Sequence, residues 1–178
     1  EEYLAVADEV FGSLRQPVED LAKEIAGRLR DGGKIMICGN GGSAADAQHF
    51  AGEMVNKFLK DRKPYAGIAL STDTSVLSAI GNDFGYDQVF EKQVRAIGRS
   101  GDVLVAISTS GNAANVCRAV ETAGHMNILT VALTGGTGGK LAKLAYTTIC
   151  VSSSNSTPRI QEGHQLLIHA LCERIEEI

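Results

Sequence analysis

The spacing of apolar side chains predicts helices over the first part of the chain, residues 1–31. Apolar residues recur there every three or four positions, which is the period of an amphipathic helix. Pro17 suits the first turn of a second helix, and Gly32 and Gly33 end the pattern. The apolar positions are Leu4, Val10, Phe11, Leu14, Val18, Leu21, Ile25 and Leu29.

From residue 32 onward, short apolar runs alternate with helical patterns in the order of βαβ units. Each run is apolar throughout, as in a parallel sheet that is covered on both faces. The predicted strands are 35–38, 66–70, 103–107, 128–133 and 147–151, and the predicted helices are 44–59, 74–80, 87–98, 112–123, 138–144 and 159–177. We therefore predict a single α/β domain over 1–178. Its α/β core, 32–178, is a doubly wound three-layer α/β/α sandwich around a five-stranded parallel sheet, with the first helices added at one side.

Composition narrows the possible partners and the compartment. A net charge of −4 and an aromatic content of 5% without Trp argue against nucleic-acid binding. No apolar run approaches the ~20 residues that cross a bilayer, and no signal segment precedes the first helix, so we expect a cytoplasmic protein without a membrane partner. The cysteines Cys38, Cys117, Cys150 and Cys172 lie in apolar stretches without a C-x-x-C pair, which favours free thiols.

Small polar residues follow four of the predicted strands. The carboxyl ends of parallel strands share one edge of a sheet, where ligands bind. The loops are 39–43, 71–74, 108–112 and 134–139. Their hydroxyl and N–H groups at helix N-termini would suit a phosphate dianion, and we expect Ser108, Thr109 and Ser110 to cap the helix that follows them. The alternative is that these are ordinary turn and capping residues.

The loop after the first strand also fits a dinucleotide-binding pattern, G-x-G-x-x-A over 39–44. Asp73 would then be the ribose-binding acid of a nucleotide-dependent oxidoreductase. Glycines are needed for any tight turn here, and this alternative leaves the histidines described next without a role.

Four side chains on two predicted helices form a candidate metal site. His49 and Glu53 are four residues apart and so share a helix face, and Gln161 and His169 share a side of the last helix with His164 between them. If the two helices face each other, two His, one Glu and one Gln can meet around a divalent ion. Histidines with a carboxylate and an open position are typical of catalytic zinc. Ordinary packed or solvent-facing histidines are the alternative.

Five motifs in this order resemble the phosphoheptose isomerase family. They are CGNGGS at 38–43, HFAGE at 49–53, GNDFG at 81–85, ISTSGN at 107–112 and RIQE at 159–162, followed by Ile168-His169. The resemblance covers nearly all of the chain from residue 32, whereas the first thirty residues match only as helical padding.

The resemblance implies a flavodoxin-like SIS fold, a homotetramer, and an isomerase that converts sedoheptulose 7-phosphate to D-glycero-D-manno-heptose 7-phosphate. This reaction is the first step towards ADP-heptose for lipopolysaccharide core. One zinc ion per subunit would be bound by His49, Glu53, Gln161 and His169, of which Glu53 and His169 would also transfer protons. The substrate would be bound by Asn40, Gly41, Gly42, Ser43, Glu53, Asn82, Asp83, Ser108, Thr109, Ser110 and Gln161.

One position departs from the family. Ala113 stands where the family often has Ser, so one phosphate hydroxyl is expected to be absent.

One relative of the family is not an enzyme. It is a tetrameric SIS-fold adaptor that associates with the bacterial replication initiator, and the alternative is that this chain has the same function. The adaptor lacks the glutamate and histidine that this chain has at Glu53 and His169.

Overall fold

A five-stranded parallel sheet forms the centre of the protein, and its strands lie in the order β2-β1-β3-β4-β5. The computed structural model describes all residues, 1–178. The strands are β1 Ile35–Gly39, β2 Gly67–Ala69, β3 Val103–Ser108, β4 Leu129–Gly135 and β5 Thr147–Val151. The predicted α/β fold with a five-stranded parallel sheet is confirmed.

Eight α-helices connect and flank the strands. They are α1 Glu2–Phe11, α2 Arg15–Arg30, α3 Gly42–Val55, α4 Thr74–Phe84, α5 Val89–Ile97, α6 Ala114–His125, α7 Leu141–Leu144 and α8 Thr157–Glu177, and a 3-10 helix covers Tyr86–Gln88. All six predicted helices are present, but several of their ends differ from the prediction, and α7 begins three residues later than predicted. Helix α3 ends four residues earlier, α4 runs four residues further, and α6 begins two residues later.

Alternate residues of the strands point into two separate cores. Ile35 and Ile37 of β1 pack with α1, α2, α3 and α8, whereas Met36 and Cys38 pack with α5 and α6 on the opposite face. The sheet is therefore the middle layer of a three-layer sandwich, as predicted. None of the helices is both long and apolar enough to cross a lipid bilayer.

The N-terminal helices are built into one layer of this sandwich. Both α1 and α2 pack against α8. The carboxylate of Glu9 on α1 accepts hydrogen bonds from the N–H and Oγ of Ser152 and from the N–H of Ser153, in the loop before α8. The description of this region as padding is therefore wrong, because α1 helps to fix the loop from which α8 starts.

Two surfaces of the chain expose large apolar side chains. Tyr3, Leu4 and Phe11 are exposed on α1. Helix α4 buries none of its residues, and Phe84 and Tyr86 at its end are more than half exposed.

Candidate active site

The candidate site lies at the carboxyl ends of the neighbouring strands β1 and β3. The helix that follows β1, α3, packs on one face of the sheet, and the helix that follows β3, α6, packs on the other. Crevices of this kind bind ligands in open parallel sheets. Asn40, directly after β1, and Asn115, in the first turn of α6, exchange two side-chain hydrogen bonds of 2.8 and 2.9 Å. Asn115 is buried, and its Oδ1 also accepts from the N–H of Val116. This amide pair joins the two loops across the crevice, and no sequence motif marks Asn115 as part of the site.

Backbone donors at the start of α3 face the same crevice. The N–H groups of Gly41 and Gly42 have no acceptor within the chain, and Ser43 is buried and donates its N–H to Asn40 O. Gln161 of α8 lies directly against Gly42, where a β-carbon would come within 2.8 Å of its Cδ. Glycine at position 42 therefore leaves room for Gln161 beside the N-terminus of α3.

Helices α3 and α8 pack side by side and bring His49, Glu53 and His169 together. The Nε2 atoms of His49 and His169 are 2.9 Å apart, and Glu53 Oε1 is 3.5 Å from His49 Nε2. Phe58 lies against the other side of His169, with ring centroids 5.3 Å apart. Two imidazole nitrogens and a carboxylate oxygen thus share one partly exposed location.

Gln161, the fourth predicted zinc ligand, makes no hydrogen bond to these three side chains. No three His, Cys, Asp or Glu side chains are arranged as a complete metal site. Even so, the donor types fit a zinc ion, since two imidazole nitrogens and a carboxylate oxygen already converge and an amide lies on the same side of α8.

Two buried ionisable groups lie on the helices that carry this cluster. His164 points into the protein, where its Nε2 donates to Thr134 O at 3.1 Å and Nδ1 has no partner. Burial lowers the pKa of His164 to about 4, against the effect of this hydrogen bond, so the ring is neutral and structural. Asp46, one turn before His49, is buried with Oδ2 unpaired, and burial raises its pKa to about 6 although the charge of His49 lowers it. The sequence analysis did not identify Asp46.

The loop after β3 offers a second set of donors, but it does not cap α6 as predicted. Ser108 is the buried last residue of β3, and Ser110 Oγ accepts the N–H of Asn112 within the loop. The N-cap of α6 is Ala113, which provides no side-chain acceptor. The Ser110 hydroxyl is therefore used within the loop and not at the start of α6. Four backbone N–H groups have no acceptor within the chain, those of Thr109, Ser110, Ala113 and Ala114.

The glycine-rich segment 136–139, which follows β4, packs against the loop after β3, residues 109–113, here called the donor loop. The N–H of Leu141 donates to Gly111 O, and the N–H of Lys140 donates to Asn112 Oδ1. A β-carbon on Gly139 would come within 2.5 Å of Ser110 O. The two loops are therefore in direct backbone contact.

Asn82 and Asp83 lie apart from these groups within the chain. Both are exposed in the last turn of α4, where Asn82 Nδ2 donates to Asp83 Oδ1 at 2.8 Å. Helix α4 packs mainly on α5 and the 3-10 helix, and no hydrogen bond joins either side chain to the cluster on α3 and α8.

Comparisons with known proteins agree with the motifs. The SIS domain family matches residues 1–135. A phosphoheptose isomerase from Bordetella avium (strain 197N) is 48% identical over 178 residues, covering 98% of this chain and 90% of the relative.

Two solved structures agree with this relationship. Phosphoheptose isomerase from Neisseria gonorrhoeae superposes with a TM-score of 0.92 at 49% identity, covering 99% of this chain and 94% of that one. A phosphoheptose isomerase from Francisella tularensis also gives a TM-score of 0.92, at 38% identity, covering 98% and 93% of the two chains. The chain therefore belongs to the phosphoheptose isomerase family of SIS-domain proteins, and it is an isomerase.

Proposed function

We propose that this chain converts sedoheptulose 7-phosphate to D-glycero-D-manno-heptose 7-phosphate, with the crevice between β1 and β3 as its active site. The observation that carries the proposal is the convergence of three side chains at His49, whose Nε2 is 2.9 Å from His169 Nε2 and 3.5 Å from Glu53 Oε1. The product would serve as the precursor of ADP-heptose for lipopolysaccharide core. The compartment we propose is the cytoplasm, in keeping with four free thiols.

Aldose–ketose isomerisation moves a proton between neighbouring carbons through an enediol, and it needs one group for each kind of proton. We assign the carbon-bound proton to Glu53, which provides the one carboxylate of the cluster, and the oxygen-bound proton to His169. His49 lies within hydrogen-bonding distance of His169 and holds its ring in place.

We further propose that His49, Glu53, Gln161 and His169 hold one zinc ion. Bound there, zinc would act as a Lewis acid on the substrate oxygens and stabilise the enediolate charge. Gln161 is included because it lies on the same side of α8 as His169, two turns earlier along the helix.

The substrate's phosphate would bind the unpaired N–H groups in the loop after β3 and at the start of α6. Free N–H groups at helix N-termini attract anions through hydrogen bonds and the helix dipole. In this proposal Ser108, Thr109 and Ser110 line the phosphate subsite, while Asn40, Gly41, Gly42 and Ser43 bind the sugar. Phosphate held away from the reacting carbons supplies binding energy that orients them.

A homotetramer is part of the proposal, supported by the exposed apolar residues of α1 and α4. Closed symmetric assemblies commonly cover such surfaces. Asn82 and Asp83 would contact the substrate within that assembly. Light scattering at micromolar concentration should give four times the chain mass, and a monomer mass would contradict this part of the proposal.

The catalytic assignment is tested with Glu53→Gln in zinc-supplemented buffer. The amide keeps the size and one oxygen of the side chain but is not a base, so we expect turnover to fall by ~10²–10⁴-fold. Glu121→Gln on α6, an exposed position, makes the same chemical change outside the site and should keep normal turnover. Near-normal turnover in Glu53→Gln would show that Glu53 is not the base.

A further inference from the structure

The segment 56–66, between α3 and β2, has no helix or strand of its own, yet buried charges hold it in place. The carboxylate of Glu176, near the end of α8, is 1% exposed. It accepts the backbone N–H groups of Phe58 at 2.6 Å, Leu59 at 2.8 Å and Lys60 at 2.9 Å. Three N–H donors around one carboxylate fix the backbone of this segment onto α8.

Arg62 connects the same carboxylate to the end of α3. Its Nε donates to Glu176 Oε1 at 2.9 Å, and its two terminal nitrogens donate to Glu53 O at 2.8 Å and Met54 O at 3.0 Å. The guanidinium also lies over the ring of Tyr65, 4.4 Å from its centre. A planar guanidinium can bridge these groups at once, which a lysine cannot do.

Both ends of this arrangement reach the candidate active site. Glu53 receives the guanidinium on its own backbone carbonyl, and Phe58, the first residue held by Glu176, packs against the ring of His169. Phe58 belongs to no helix or strand, so no regular element of the fold fixes its contact with His169. Its geometry is set by the carboxylate that anchors Phe58.

We propose that Glu176 and Arg62 are positioning residues for the isomerisation: they fix Phe58 against His169 and fix the last turn of α3, which carries Glu53. This inference rests on the proposed roles of Glu53 and His169. Small displacements of a reacting group are costly, since a shift of ~1 Å can lower a rate by ~10²-fold. The phosphate-binding loops lie elsewhere, so the effect should fall on kcat and not on KM.

The test compares Glu176→Gln with Glu177→Gln. The first places an amide NH₂ where backbone N–H groups need an acceptor, whereas Glu177 is partly exposed and pairs only with Arg174 on the same helix. We expect Glu176→Gln to lower kcat for sedoheptulose 7-phosphate at least ~10-fold with KM within ~3-fold. Glu177→Gln should match the unmodified protein in both constants.

Limited trypsin digestion gives a readout that does not depend on activity. The segment contains Lys57, Lys60 and Arg62, none of which precedes a proline, so its release should produce new cleavage sites that mass spectrometry can locate. We expect faster cleavage there in Glu176→Gln and no change in Glu177→Gln. If the unmodified protein fails to isomerise the substrate, the proposed function is wrong, while this digestion pattern still reports whether the segment is anchored.

Two further variants keep the inference testable if Glu176→Gln does not fold. Arg62→Lys keeps the charge but loses the bridge to Glu53 O, and Phe58→Leu keeps the anchored backbone but removes the aromatic contact with His169. Both should lower kcat more than they raise KM. The proposal is overturned if the folded variants keep a normal kcat, whether or not the segment becomes sensitive to trypsin.

Discussion

The glycine loop after β4 offers a sharp test of the proposed phosphate subsite. Gly136 and Gly139 have φ of 60° and 58°, so alanine at either position adopts a left-handed backbone at a cost of about 1–2 kcal/mol. Their surroundings differ. At Gly139 a β-carbon would lie 2.5 Å from Ser110 O and 2.7 Å from the carbonyl of Gly111, both backbone atoms, whereas at Gly136 the nearest atom is Asn155 Oδ1 at 3.3 Å.

Because ordinary contact begins near 3.4 Å, Gly139→Ala must displace the donor loop by roughly 1 Å, enough to weaken hydrogen bonds that are sensitive to distance. A charge-assisted hydrogen bond is worth about 1.5–3 kcal/mol, so losing one should raise KM for sedoheptulose 7-phosphate by ~10-fold or more. Gly136→Ala carries the same backbone strain without this displacement, and its KM should stay unchanged.

Steady-state kinetics and urea unfolding measure the two effects separately. Both variants should lose about 1–2 kcal/mol of unfolding free energy from the backbone, and Gly139→Ala should lose more. Only Gly139→Ala should show the raised KM. Equal KM values in the two variants would refute the assignment of the phosphate to the loop after β3.

Three further outcomes follow from single contacts. Burial alone would raise the pKa of Glu176, but three backbone N–H groups and a nearby guanidinium lower it from 4.5 to about 2. The ionised carboxylate therefore stabilises the protein above pH 4.5, and this stabilisation is lost as the pH falls towards 2, which urea titrations should show for the unmodified protein and not for Glu176→Gln. Gly42→Ala should displace the side chain of Gln161 and lower turnover. The thermal midpoint should change little, because the end of a side chain can move more easily than backbone. A normal turnover would show that Gln161 takes no part in the reaction. Asn115→Ala should lower the free energy of unfolding by about 1–2 kcal/mol and raise KM. A double-mutant cycle with Asn40→Ala should show strong coupling between the two positions, and additive effects would contradict the amide pair.

The three inner strands could be predicted because a strand buried on both faces is a continuous apolar run, whereas the edge strands β2 and β5 are only partly buried and still contain short apolar runs. The fifth strand, 147–151, has the predicted bounds, and the others differ by two residues or fewer at each end. The end of α3 could not be predicted locally. The chain turns away from the helix after Val55 because Glu176, 118 residues after Phe58, binds the backbone that follows.

The candidate site was likewise predictable from the sequence only where its residues lie on one helix. Spacing within α3 places His49 and Glu53 on one face, but their approach to His169 depends on how α3 packs against α8, which no local pattern contains. Asp46 gave only a weak signal, because an acidic residue in the first turns of a helix is common on exposed surfaces and its burial is not visible in the sequence. The predicted capping of α6 by Ser108, Thr109 and Ser110 was wrong, because Ser108 still belongs to β3, Ser110 Oγ accepts the N–H of Asn112 within the loop, and the helix begins only at Ala114.

The most direct measurement is the reaction itself, with purified protein, zinc and sedoheptulose 7-phosphate, followed by separation of the heptose phosphates. We expect D-glycero-D-manno-heptose 7-phosphate to form without any nucleotide, and we expect Glu53→Gln almost to abolish its formation while still binding the substrate. Absence of the aldose phosphate with the unmodified, zinc-supplied protein would contradict the account and favour the adaptor that binds the replication initiator.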